Sequence, residues 1–139
     1  MRRWLILGAA VLPFAAAAQS VMTPGEWQQT IHVQMPGSTM TMPAHTVKQC
    51  VKPQAASSVE SYLKQTQQPS CHMDDYSTKG NKTHWKVTCS GQQTSTTEGV
   101  FTMENPKAYT IHMTTTMKTP AGDFSTKVTT EGKWLGACP

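Results

Sequence analysis

Past its eighteenth residue the sequence contains no arginine, because Arg2 and Arg3 are the only two in the chain. Nucleic-acid readers lean on guanidinium groups, which grip phosphate and guanine through paired hydrogen bonds, so no nucleic-acid partner is expected. The formal charge of +4 owes half its value to those two arginines, and the pI of about 9.0 therefore says little about an anionic partner. Large aliphatics are also scarce: beyond the first eighteen residues only Ile31, Ile111, Leu63, Leu135 and scattered valines remain. There is no Cys-x-x-Cys, no Gly-x-Ser-x-Gly, no His-Glu-x-x-His and no P-loop, so neither a zinc ribbon nor a familiar hydrolase or nucleotide site is spelled out. No catalytic residue and no enzyme activity is expected.

What is present begins with an address. Met1-Arg2-Arg3 precedes an apolar run from Leu5 to Phe14 that ends in Ala15 to Ala18, the pattern of a signal peptide cleaved after Ala18. That run is too short to span a bilayer permanently, and no cysteine follows the cut for a lipid anchor. Residues 1–18 are thus read as the leader and 19–139 as a single β-rich domain. The expected location is the periplasm, or outside the cell, with no permanent membrane span.

All four cysteines, Cys50, Cys71, Cys89 and Cys138, lie beyond the leader. In an oxidising compartment an even count implies disulfides, here two, and a core this poor in aliphatics depends on them.

Along the chain, Trp27, Gln29, Ile31, Val33 and Met35 alternate with polar residues, the period of a half-buried strand, before Pro36-Gly37 breaks it. A second strand is expected across Thr41 to Val51. Val59, Tyr62, Leu63 and Thr66 fall at i, i+3, i+4 and i+7, the only helical spacing in the domain, with Ser57 or Ser58 as cap. Cys71 to Cys89 reads as a hairpin about Gly80-Asn81. A three-residue loop sets Cys71 opposite Cys89 and Met73 opposite Val87; a two-residue loop sets Tyr76 opposite Trp85 instead. Both registers are open, and a one-residue slip turns every side chain over. Of the three possible connectivities, Cys71 to Cys89 and, by elimination, Cys50 to Cys138 are favoured.

Beyond Gly91 the turns Asn105-Pro106-Lys107 and Thr119-Pro120-Ala121-Gly122 divide a Thr-rich region into three strands. Their pairing puts Met103 by Tyr109, Phe101 by Ile111, Met117 by Phe124 and Met113 by Val128 on one apolar face. The fold expected is mainly β: an antiparallel, strongly curved meander sheet or small barrel of about seven strands, with one short helix and two disulfides.

Gly25-x-Trp27, Met35-Pro36-Gly37 with Met42-Pro43, Cys50-Val51, Cys71 with Gly80-Asn81, Trp85-x-Val87-x-Cys89 and Gly136-x-Cys138 together resemble DUF3617, a family of small exported Gram-negative proteins. The likeness runs over nearly the whole chain after the leader. It implies an exported, periplasmic, β-rich domain with paired cysteines, and it carries over no active-site residue.

Two candidate sites emerge. Met40, Met42 and His45 gather thioethers and an imidazole in a short stretch, a donor set suited to Cu(I). Other methionines, Met35, Met103, Met113 and Met117, read as filler for inward faces, while His32 and His112 face outward. Asp74 and Asp75, adjacent on a strand, are expected to point to opposite faces. Alternatively Trp27, Trp85, Phe101, Tyr109, Phe124 and Trp134 line an apolar cavity, or simply make the core. The reading is a non-catalytic binding or interaction module for a small apolar ligand or protein partner, with Cu(I) binding as alternative. The Met35 to His45 loop and the concave face of the sheet are where a site is expected.

Overall fold

The structure is a computed structural model, and it describes residues 21–40 and 42–139. The leader and its cleavage point, together with Thr41, lie outside the described residues.

Seven antiparallel strands form one sheet in the order β2-β1-β7-β6-β5-β4-β3. They are β1 (Gly25–Gln34), β2 (His45–Val51), β3 (Cys71–Lys79), β4 (Lys82–Cys89), β5 (Ser95–Asn105), β6 (Ala108–Thr119) and β7 (Gly122–Gly136). Strands β3 to β7 make a meander through short connections, two-residue turns except between β4 and β5, and the β1-β2 pair joins it through β1 against β7. The sheet is not closed: β2 and β3 remain its two edges, so of the two forms expected it is the open sheet and not the barrel. Between them in sequence runs a helical segment, α1 (Pro53–Ala56) and α2 (Val59–Thr66), so the one helix expected is two. The chain spends that stretch covering the inner face of the sheet rather than joining its edges.

Each edge is tied instead by a disulfide. Cys71–Cys89 closes the open end of the β3-β4 hairpin, and Cys50–Cys138 ties β2 to the segment after β7. In the loop-entropy picture, cross-links spanning 18 and 88 residues restrict the unfolded chain by about 3 and about 4.5 kcal/mol.

The hairpin satisfies both registers open in the sequence. Cys71 pairs with Cys89 and Met73 with Val87, then Asp75 with Lys86 and Tyr76 with Trp85, down to Lys79 with Lys82. Asp74 is the extra residue, a bulge on the edge strand. The two-residue loop begins at Gly80 with φ +62°, a left-handed conformation natural to glycine and suited to a primed hairpin turn. The bulge breaks strict alternation, so Asp74 and Asp75 do not point to opposite faces as expected. Asp74 meets His72 (2.7 Å) and Thr88, while Asp75 sits opposite Lys86.

The core lies between the inner face and the helices. Trp27, Phe101 and Tyr109 are fully enclosed, with Met22, Val51, Ala56, Val59 and Tyr62 packed around them. Phe101 and Tyr109 rings stand 4.8 Å apart, and Tyr62 of α2 meets Phe101 edge-on at 5.7 Å. Ser58 caps α2 by accepting from the Ser61 N–H at 3.0 Å. Of the methionines expected inside, Met103 is buried and Met113 and Met117 half-buried, but Met35 lies in the exposed turn after β1.

Two aromatics lie flat over glycines of the neighbouring strand. Trp85 covers Gly99 and Tyr109 covers Gly132; a Cβ at either glycine would approach the ring to 2.3 or 2.2 Å. Replacing either by alanine is expected to cost about 1–3 kcal/mol through overpacking. Urea unfolding should show this for Gly99→Ala and Gly132→Ala, with Gly91→Ala, whose nearest neighbour is 3.9 Å away, as the near-neutral control.

Candidate functional site

The inner face changes character along the strands. Under α2 the paired rows are aromatic and tightly packed; farther on they run Thr126–Thr115–Thr97–Val87 and Phe124–Met117–Ser95–Cys89, small or polar on most strands. α2 covers only the first part. Its buried residues Val59 and Tyr62 face the core, while Leu63, Thr66 and Gln67 border what remains open. The result is a cleft of about 550 Å³ between α2 and the sheet, within the usual range for small-molecule sites. Its apolar wall is Ile31, Leu63, Trp85, Val87, Ile111 and Met113; its polar wall is Gln29, Gln49, Gln67, Gln68, Thr97 and Thr130.

At the core end of the cleft three strands and a helix meet in a polar knot. The Gln29 Nε2 lies 2.7 Å from Tyr62 Oη, 2.8 Å from Tyr109 Oη and 3.0 Å from Gln49 Oε1. An amide NH2 has two hydrogens, so these three acceptors share two donors. The two phenols lie 3.1 Å apart and can supply a further bond between themselves. No buried side-chain nitrogen or oxygen among the described residues lacks a partner. Burial pushes the Tyr62 phenol upward, against the hydrogen bonds from Tyr109 and Gln29 that favour its ionised form. Burial likewise raises Tyr109, strongly, and the neighbouring Tyr62 adds to it.

A second hollow, of about 620 Å³, lies on the opposite face and is of different chemistry. It is bordered by Asp75, His84, Lys86, Glu98, His112 and Lys127, with Lys86 and Glu98 paired at 3.3 Å. His32 and His112 both flank Thr129 across β7, and His112 Nδ1 lies 3.2 Å from its hydroxyl. Strand alternation sends both histidines outward but does not bring them to one row, because β1 beside β7 is a pairing between chain ends. Among the described residues no group of three or more His, Cys, Asp or Glu side chains gathers as a metal site.

The residues singled out in the sequence separate clearly. Trp85 lines the inner cleft. Trp27, Phe101 and Tyr109 are enclosed in the packed core, and Phe124 is exposed near the β6-β7 turn. Trp134 packs against the core edge, donating from Nε1 to Pro24 O at 3.1 Å with Lys107 Nζ over its ring. Met40 and Met42 are exposed, at 78% and 45%, and His45 is exposed at the first position of β2. The cleft residues missed in the sequence are Gln29, Gln49 and the Gln67-Gln68 pair, because a glutamine by itself carries no positional signal.

A family model described as Protein of unknown function (DUF3617) matches residues 22–138. No curated protein and no solved structure matches the chain. No helix among the described residues is long and apolar enough to cross a membrane.

The knot makes stability sensitive to alkali. The unfolded chain releases tyrosine protons near pH 10 while Tyr62 and Tyr109 keep theirs, so the folded state binds more protons there and stability falls as pH rises past about 10. Ultraviolet titration just above pH 10 should show ionisation of Tyr62 and Tyr109 delayed relative to free tyrosine while far-ultraviolet dichroism stays native. Three phenolates in a native fold would contradict the buried knot.

Proposed function

The chain belongs to the DUF3617 family, and we propose that it is an exported, periplasmic, non-catalytic binding module that holds a small apolar ligand in the cleft between α2 and the sheet. The observation that carries this reading is the partial cover of an apolar sheet face. α2 seals the aromatic half of the inner face and stops at Thr66, leaving Leu63, Val87 and Met113 only half-buried around the cleft. Burying apolar area of this kind yields roughly 25 cal/mol per Å² before the costs of association. Each edge strand is tied by a disulfide, which limits the rearrangement a ligand would have to drive. No motif for nucleophilic or metal-assisted chemistry accompanies it in the sequence, which supports binding over catalysis.

Native mass spectrometry of protein purified from its own compartment should reveal a retained apolar molecule above the mass of the two-disulfide chain. With purified protein, Val87→Glu should weaken binding of the probe N-phenyl-1-naphthylamine by about tenfold or more, because it places an unpaired charge against the apolar wall. Thr97→Phe, which fills the cleft without adding charge, should do the same. Unchanged affinity in both folded variants would refute the cleft as the site.

A second reading, Cu(I) held by Met40, Met42 and His45, draws on the exposure of all three side chains. Thioethers at these positions are not committed to the core and suit a soft cation. Excess Cu(I) under anaerobic conditions should raise the melting temperature and lose that effect in Met40→Leu/Met42→Leu; an unmoved melt removes this reading.

A further inference from the structure

The sheet sorts charge between its faces. Six ionisable side chains border the outer hollow, whereas none of the residues bordering the inner cleft is Asp, Glu, Lys, Arg or His. The charges of α2 do not supply one: Glu60 and Lys64 pair with each other at 2.6 Å and border a different depression beside β3.

The cleft still offers hydrogen bonds, all of them from uncharged groups. Gln49 uses its Oε1 to accept from Gln29 and so keeps its NH2 as a donor. Gln67 donates through Nε2 to the Cys71 carbonyl at 2.6 Å and so keeps its Oε1 as an acceptor. An uncharged donor and an uncharged acceptor on the cleft's border suit a neutral head such as a hydroxyl, which can meet either. A carboxylate or phosphate would find only acceptable donors and no cation, and would lose much of its hydration against Trp85, Leu63 and Val87.

We infer that the cleft selects uncharged amphiphiles, an acyl or alkyl chain ending in a hydroxyl or other neutral hydrogen-bonding head, and discriminates against anionic ones of equal chain length. This deepens the binding role proposed above and rests on it.

Displacement of N-phenyl-1-naphthylamine by lauryl alcohol, monolaurin and laurate tests it on the oxidised protein. At neutral pH the alcohol and monolaurin should bind at least about tenfold more tightly than laurate, because the acid must shed its charge or bury it. The gap should narrow as pH falls toward the carboxyl's own range, where laurate becomes neutral. Thr66→Lys, at the exposed end of α2 on the cleft's border, should strengthen laurate several-fold at neutral pH and leave the alcohol unchanged. Laurate binding as tightly as the alcohol, or indifference of laurate to Thr66→Lys, would overturn the selectivity while leaving an apolar-ligand cleft. Failure of all three to bind would overturn the binding role itself.

Discussion

Pairing of β1 with β7 joins the two ends of the domain, and most of what distinguishes this sheet depends on it. The meander from β3 to β7 is local in sequence and requires only short connections. Adding β1 along the free side of β7 places Gln29 level with Gly132 and Tyr109, and Ile31 level with Thr130, Ile111 and Phe101. Without that neighbour the Tyr62-Tyr109 pair would lose its amide partner. β2 follows by pairing with β1, which brings Cys50 within reach of Cys138. A long loop closure must be made before these contacts reward it, and the disulfide then holds it shut.

The same constraint explains why the sheet stays open. With β1 and β2 added beyond β7, the edges are β2 and β3, and the chain between them is the helical segment that roofs the core. Exposed strand edges invite pairing with other chains. Here β3 carries a bulge at Asp74 and charged side chains at Asp74, Asp75 and Lys79, and a disulfide anchors its start. An open sheet with a short roof has an uncovered inner surface by construction. The cleft is that remainder, apolar on the strands that continue the core and threonine-rich where they leave it.

Much of this was legible in advance wherever the signal was local. Alternation in Trp27 to Val33, the i, i+3, i+4, i+7 spacing of α2, and the turns at Gly80, Asn105 and Gly122 each report on neighbours a few residues away, and strands, helix and meander pairs follow them. The hairpin shows the limit of such signals. Two registers each had good pairs, and only a bulge at Asp74 lets Cys71 face Cys89 while Tyr76 faces Trp85. The aromatics were harder still. Composition marks Trp27, Trp85, Phe101 and Tyr109 as apolar mass, but whether each seals the core or lines a cavity depends on where α2 ends above the sheet. Met35 shows the reverse case: it continues the alternation of β1 by one step beyond the strand and emerges into solvent.

The amino-acid sequence by itself determined the strand-rich character of the domain, the amphipathic helix α2, the local pairs of the meander and the presence of two disulfides, because each rests on side-chain period, turn chemistry or an even count of thiols. Only the tertiary structure decided that the sheet stays open, that the outer hollow is bordered by charge while the inner cleft is not, and that Gln29, Tyr62 and Tyr109 close one polar knot. Those three residues come from β1, α2 and β6 and are distant in the chain. No short-range periodicity encodes their meeting; it follows from the pairing of the chain's two ends and from the length of the helix laid across them.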